Sequence, residues 1–188
     1  MTSLIRSKTK KRLMNLICEP LQSRIDFHVI SYRKAHDQMG RAVMTVDKEE
    51  VFSMCSITSM REEYYREEEI RGKRNEDERN VKTNLEIQAL AHEQLLHEGI
   101  YARYDFFSVV DDYIQSPISE LLKSDDVLVK ALTMLDRRVG KRTLCRWKDF
   151  IKDEHPLVQR LYMLRCEVEN IQIILTKGRS FFMEKKGS

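Results

Sequence analysis

The sequence predicts an α+β fold in which helix predominates: a helical bundle with a small N-terminal antiparallel β meander. Three observations predict it. Only 6 glycines and 3 prolines occur in 188 residues, too few for a loop-rich β protein. Residues 24–55 alternate apolar and polar side chains, and most later segments repeat apolar residues every three or four positions. A wholly α fold is the alternative.

Composition predicts one folded domain with a basic N-terminal segment. Hydrophobic residues make up 41% of the chain and charged residues 34%, as in ordinary folded proteins. We therefore expect a basic segment over residues 1–23 and a single globular domain over 24–188. Within that domain, 24–56 is strand-rich, 57–178 is helical and 179–188 is a loose tail. The formal net charge of +3 is concentrated at the N-terminal end.

Compartment and cofactors are predicted from what the sequence does not contain. No apolar run approaches the ~18 residues of a membrane span, and the N-terminal apolar run is too short for a secretory signal. The 4 cysteines form no C-x-x-C pair, which favours a reducing compartment and no zinc site. We expect a cytoplasmic protein without a cofactor.

The strand-rich part opens with "RIDFHVISYR", in which Ile25, Phe27 and Val29 alternate with polar residues. The segment "RAVMTVDKEEVFSMC" adds two further strands around "DKEE". Because this turn contains no glycine, a four-residue loop is predicted in preference to a tight hairpin. Asp47 and Glu50 also resemble a helical capping box, so a helix in this region stays open as an alternative.

Residues 61–80 are predicted to form a charged, projecting helical pair. Charged side chains occupy 14 of these 20 positions, with both signs spaced as on a solvated helix, and Gly72 and Asn75 indicate an interruption. This segment is either a docking surface or simply a solvated face.

The remaining helices carry clear start and stop signals. Gly99 suits a helix C-terminus, and "SDDVLVKALTML" suits a capped helix start. The final helix, opened by Pro156, has an apolar stripe that packs either on its own bundle or on a second subunit as a homo-oligomer. That stripe comprises Leu157, Leu161, Leu164, Val168, Ile171 and Leu175.

The segment "LDRRVGKRTLCRWKDF", residues 135–150, is the main candidate binding site. It lacks the glycine and serine or threonine spacing of a phosphate loop, and its single glycine does not fit a helix-turn-helix. One helix is expected to end near Arg138 and the next to begin near Lys141. The side chains predicted to bind a partner or phosphate are Arg137, Arg138, Lys141, Arg142, Arg146 and Lys148.

Three sources could neutralise these cations. The acidic region 101–126 could do so within the chain; otherwise an acidic partner or nucleic-acid phosphates would do so.

A second candidate cluster follows from the histidines. "AHEQLLHEG" is not a metalloprotease motif, because His92 and His97 are five residues apart and cannot share a helix face. A polar set near the first strand could bind an anion or a metal or do acid–base work, or be an ordinary strand edge. Its members are Asp26, His28, Arg33, His36 and Asp37.

Because no catalytic signature is present, the leading hypothesis is a non-enzymatic protein-interaction or regulatory module. It would use residues 61–80 and the basic patch at residues 137–148 to bind a protein partner. The alternative is a nucleic-acid-binding protein that contacts phosphates through residues 8–12 and 137–148. A third hypothesis is a metal-dependent hydrolase around Asp26, His28 and His36.

Overall fold

A computed structural model describes residues 2–32, 39–74 and 81–171. The chain has the predicted α+β class, with helix predominant and one small antiparallel sheet. Two 3₁₀ turns, Glu19–Leu21 and Ile151–Asp153, supplement the regular elements. The helices and strands, in chain order, are α1 (Thr2–Leu16), β1 (Ile25–Ser31), β2 (Gly40–Val46), β3 (Glu49–Cys55), α2 (Ser56–Arg74), α3 (Val81–His97), α4 (Arg103–Gln115), α5 (Ile118–Leu121), α6 (Val127–Leu135), α7 (Lys141–Trp147) and α8 (Pro156–Val168).

The predicted antiparallel meander is confirmed, and the wholly α alternative is wrong. The three strands lie in the order β1-β2-β3, with Ile25 opposite Val46 and Val46 opposite Glu49. The apolar alternation of β1 explains the strand structure, because a strand turns Ile25 and Phe27 inward while His28 stays exposed.

The turn between β2 and β3 differs from the prediction of a four-residue loop. Only Asp47 and Lys48 separate the strands, and both adopt positive φ, 52° and 70°. Such a pair of angles is typical of a tight hairpin turn, which glycine or asparagine usually occupies. Arg24 holds Asp47 in place, donating from Nε and Nη2 to its carboxylate at 2.9 and 2.7 Å. This tertiary contact explains why the chain forms the turn without glycine.

The main core lies between one face of the sheet and helices α1, α4, α6 and α8. Phe27 of β1 stacks on Phe106 of α4, with ring centroids 5.9 Å apart. The N-terminal segment contributes to this core through Leu13, Ile17 and Leu21. Its helix therefore packs on the domain through an apolar side while Lys8, Lys11 and Arg12 face outward.

The last helix buries its apolar stripe within its own chain. Leu157, Leu161 and Leu164 all belong to the main core. The helix ends at Val168, and Asn170 follows in a left-handed conformation with φ 54°. Leu175 and the predicted loose tail 179–188 lie outside the described residues.

Helices α2 and α3, which we call the helical arm, pack mainly against each other, and α2 makes fewer contacts with β2 and β3. Within the described ranges, no helix is both long and apolar enough to cross a membrane.

Candidate functional site

The basic patch at residues 137–148 begins in the turn after α6 instead of at a helix end. Helix α6 stops at Leu135, three residues before the predicted end near Arg138, while α7 begins at Lys141 as predicted. Asp136 leaves the helix to pair with Ile17 in an isolated antiparallel bridge. The amide of Cys18 donates to the Leu135 carbonyl at 2.9 Å. The end of α1 therefore fixes the path of this turn.

Arg138 is neutralised inside the turn. Its Nη2 lies 2.7 Å from Oδ2 of Asp136, whose side chain is fully buried, and its Nη1 donates to the Ser116 carbonyl at 3.0 Å. The Tyr113 hydroxyl also donates to Asp136 Oδ2, at 2.7 Å. Burial, reinforced by this carboxylate, raises the pKa of Tyr113. Arg138 is thus part of a buried network.

Arg165 of α8 closes the same network from the other side. It is 3% exposed and donates to the carbonyls of Leu135, Asp136 and Val139 at 3.0 to 3.1 Å. The guanidinium therefore binds the carbonyl at the end of α6, which has no helical partner, together with two carbonyls of the turn that follows.

The other predicted cations divide into two sets. Lys141 Nζ lies 3.3 Å from Oε2 of Glu169 and donates to that residue's carbonyl at 2.8 Å. Glu169, and not the acidic region 101–126, therefore compensates a lysine at the unfavourable N-terminal end of α7. Arg137, Arg142 and Arg146 are exposed, and within the described residues none of the three has an ion-pair partner.

A shallow pocket of about 270 Å³ lies beside the end of α7, with half-buried Trp147 and exposed Phe150 in its wall. Lys148, the last of the predicted cations, is half-buried and follows α7 directly. Lys130 also lines the pocket, but its Nζ lies 2.8 Å from Oε1 of Glu154. Because acids and lysines alternate around this pocket, it provides no concentrated positive charge.

The cluster predicted on β1 is partly assembled. Oδ2 of Asp26 lies 3.2 Å from Nε2 of His28, and its Oδ1 lies 2.6 Å from Nζ of Lys10. Burial alone would raise the Asp26 pKa, but the hydrogen bonds from Lys10 and from the Phe27 amide outweigh it and lower the pKa. The other members of the predicted cluster, Arg33, His36 and Asp37, lie outside the described residues.

The structure also contains a titratable cluster that the sequence did not predict. His92 of α3 lies between two carboxylates, with Nδ1 3.6 Å from Glu63 of α2 and Nε2 3.3 Å from Asp105 of α4. The exposed Tyr104 ring stacks on the imidazole at 6.4 Å. Burial raises the pKa of Asp105 although the Ala102 amide and His92 both favour its charged form. The carboxylates meet opposite ring nitrogens, so they share no centre for a metal.

Metal ligation more generally finds no support in the described ranges, where no group of three histidine, cysteine or carboxylate side chains could hold an ion. No sequence pattern indicates that Glu63, His92 and Asp105 meet, because they lie on three different helices.

A cysteine with a hydrogen-bonded thiol lies at the junction between the sheet and the helical arm. Cys55 ends β3 immediately before α2, and its Sγ lies 3.4 Å from the Tyr32 hydroxyl. Burial raises the pKa of the thiol, but hydrogen bonds from Tyr32, from Thr58 and from the Ile57 amide together lower it below the ordinary value. Cys55 therefore has more thiolate character than an ordinary cysteine.

The most distinctive exposed surface is one side of α2, which we call the α2 outer face. Tyr64 and Tyr65 are 60% and 57% exposed, and their rings touch edge to face at 6.0 Å. Ile57 and Met60 are about half exposed. Sequence reasoning identified this helix by its charge only, but apolar residues at 57, 60 and 64 repeat with helical spacing. The face comprises Ile57, Met60, Arg61, Tyr64, Tyr65, Glu68 and Gly72.

These features define an α+β protein, a helical bundle with a three-stranded meander, that presents an apolar and aromatic face on a helical arm. The sequence profile of the SF0329 protein family matches residues 7–166, and the chain belongs to this family. No curated protein and no solved structure matches the chain significantly.

Proposed function

We propose that this protein is a non-enzymatic interaction or regulatory module that binds a protein partner through the α2 outer face. The observation that carries the proposal is the group of exposed large side chains Ile57, Met60, Tyr64 and Tyr65 on a helix that is otherwise charged. A clustered apolar surface rimmed by charge is typical of a protein-binding site.

The residue types support a protein partner. Tyrosine, methionine and arginine are enriched at protein interfaces, and the α2 outer face has all three. The inner side of the helix is occupied by contacts with the rest of the protein, such as that of Glu63 with His92. The outer aromatic rings are therefore available without unfolding any part of the arm.

Site-specific photo-crosslinking tests the proposal. A benzophenone amino acid replaces Tyr64 in the full chain, which is expressed and irradiated in cells. We expect a covalent adduct with a protein. The matched control carries the same probe at Met163, which is 40% exposed on α8. Absence of any adduct at position 64, or equal adducts at both positions, would contradict the proposal.

Nucleic-acid binding is the second candidate, supported by the exposed arginines of the basic patch at residues 137–148. Arg142 and Arg146 are four residues apart on α7, hence on one side of the helix, and Arg137 is exposed just before it. Lys8, Lys11 and Arg12 add cations on α1. Arg138 and Lys141 contribute less, because Asp136 and Glu169 already bind them.

Fluorescence anisotropy with labelled single-stranded and duplex oligonucleotides tests this candidate at low and moderate salt. The Arg137, Arg142 and Arg146 triple-alanine variant should weaken binding and reduce the log–log salt slope by about 0.9 for each lost phosphate contact to duplex DNA. A control with alanine at Lys73 and Lys123 should bind like the unmodified protein. If nothing binds at low salt, this candidate is excluded.

A further inference from the structure

We propose that the partner of the α2 outer face is a second copy of this chain, bound with its own α2 antiparallel to the first. The inference rests on the proposed function, since it names the partner for the same face. A two-fold axis passing midway between Tyr64 and Tyr65 relates the two helices. Such an interface is self-complementary, because each contact occurs twice.

Charge complementarity is the first argument. Arg61 and Glu68 are seven residues apart, so they lie on the same side of α2 about two turns from each other. Their side chains are 63% and 48% exposed. Because the axis lies midway between them, the antiparallel arrangement places Arg61 of each copy at the level of Glu68 in the other. A parallel arrangement would oppose like charges.

Shape complementarity is the second argument. The same axis brings Ile57 to the level of Gly72 in the other copy, a large side chain against none. A Cβ added to Gly72 would meet no atom of the described chain within 4 Å. Glycine in a helix costs roughly 0.5–1 kcal/mol relative to alanine, and no packing among the described residues requires it here. An approaching second helix accounts for the absence of a side chain.

Aromatic packing at the centre is the third argument. Tyr64 and Tyr65 already touch each other, and the axis between them brings four exposed rings together. Offset and edge-to-face contacts between aromatic rings stabilise an interface beyond the area that they bury.

The contacts that must be exchanged on association are weak. Arg61 lies 2.9 Å from Glu62, next to it in sequence, and Glu68 lies 3.8 Å from Arg71. The first pair is exposed and stabilises little. The Arg71 side chain is only 15% exposed, but it keeps its hydrogen bond to Asn84 when Glu68 turns away, so the rearrangement opposes association only slightly. Contact confined to about four turns of one helix is shorter than a standard interface of about 800 Å² per partner requires, which suits a weak, reversible dimer.

Sedimentation velocity of the purified full chain, from low to high micromolar concentration, tests the inference by charge reversal. We expect the unmodified protein to form dimers reversibly. Either single variant, Arg61→Glu or Glu68→Arg, opposes like charges twice and should weaken dimerisation at least about tenfold. Lys73→Glu, a reversal on another side of α2, serves as the control and should leave the dissociation constant within about twofold of the original.

Mixing the two single variants gives the decisive result. The new glutamate at position 61 of one chain then meets the new arginine at position 68 of the other. The native Glu68 and the native Arg61 form the second pair, so a heterodimer should form with nearly the original affinity. The double variant Arg61→Glu and Glu68→Arg should dimerise alone. If the unmodified protein stays monomeric, or if the mixture does not associate, the inference is wrong.

The photo-crosslink at position 64 separates this failure from failure of the proposed function. An adduct with twice the mass of the chain supports the second copy. An adduct with a different protein retains the proposed function and overturns the dimer, and no adduct overturns both.

Discussion

At the scale of single residues, the β2–β3 turn shows a local preference overruled by a tertiary contact. Lys48 has φ 70°, a conformation that costs an L-residue roughly 1–2 kcal/mol. Asp47 shares this geometry but is held by Arg24. Lys48 therefore carries strain for which its own side chain offers no evident compensation among the described contacts.

Replacing Lys48 by glycine should raise the free energy of unfolding by about 1 kcal/mol, because glycine adopts positive φ without steric cost. Urea denaturation followed by circular dichroism measures the change. Lys48→Ala keeps the strained conformation and should show little or no gain. A loss of stability in Lys48→Gly would mean that the lysine side chain itself stabilises the turn.

Cys55 gives a prediction about reactivity. Its hydrogen bonds lower the thiol pKa, so more thiolate is present at neutral pH than in an unperturbed cysteine. Tyr32→Phe removes one of these bonds and should raise the pKa. The rate of Cys55 alkylation by iodoacetamide should then fall near neutral pH and converge with the original rate at high pH.

Peptide mass spectrometry resolves each cysteine in that experiment. The exposed Cys145 serves as an internal control, and its rate should be the same in both proteins. A Tyr32→Phe variant with an unchanged Cys55 rate across pH would show that the hydroxyl does not polarise the sulfur.

At the scale of the helix, α2 has an unusually polar inner side. Ser59 is 0% exposed, and its hydroxyl has no hydrogen-bond partner among the described residues. A buried unsatisfied hydroxyl costs roughly 1–3 kcal/mol of desolvation. Ser59→Ala should therefore raise the free energy of unfolding by about 1 kcal/mol more than helix propensity alone explains.

The part of this gain that comes from helix propensity alone is measured by replacing an exposed serine with alanine. Ser108→Ala on α4 changes the same chemical group in solvent and should give only a few tenths of a kcal/mol. Equal effects at the two positions would indicate that the Ser59 hydroxyl is satisfied in solution, for example by water.

At the scale of the whole molecule, the Asp136 network joins α1, α4, α6 and α8. Asp136→Ala would leave Arg138 without its carboxylate and Tyr113 without its acceptor, and should cost about 3–5 kcal/mol. Tyr113→Phe removes only one of these hydrogen bonds and should cost about 1.5–2 kcal/mol. Denaturant midpoints of the two variants measure both changes.

The double variant provides the check on coupling. Because Asp136→Ala already removes the acceptor of the Tyr113 hydroxyl, adding Tyr113→Phe should cost less than it does alone, and the combined cost should be less than the sum of the single costs. Strict additivity, or a cost below about 1 kcal/mol for Asp136→Ala, would show that the network contributes little to folding.

Distance along the chain separates what the sequence could predict from what it could not. The alternation around Phe27 and the helical periodicity around Leu161 involve residues that are close along the chain. The fold class and the meander could therefore be predicted from them. The early end of α6 did not, because Asp136 pairs with Ile17, more than a hundred residues away along the chain. The neutralisation of Arg138 depends on that same turn.

The candidate sites were harder to predict than the fold for a related reason. His92 meets Glu63 and Asp105 only through the packing of three helices, and no spacing in the sequence encodes that meeting. The α2 outer face was within reach of sequence reasoning, since Ile57, Met60 and Tyr64 follow helical spacing, but the surrounding charge obscured it.

The separate packing of the helical arm has a consequence for motion. Its buried apolar residues Ile87, Ala91 and Leu95 do not belong to the main core cluster, and among the described residues of the arm only the half-buried Leu96 packs against that cluster. The arm can therefore open as a local unit while the sheet and the central helices stay folded. In hydrogen exchange, amides of α3 should exchange through this partial opening, well before those of α6 and α8, which become accessible only when the whole protein unfolds.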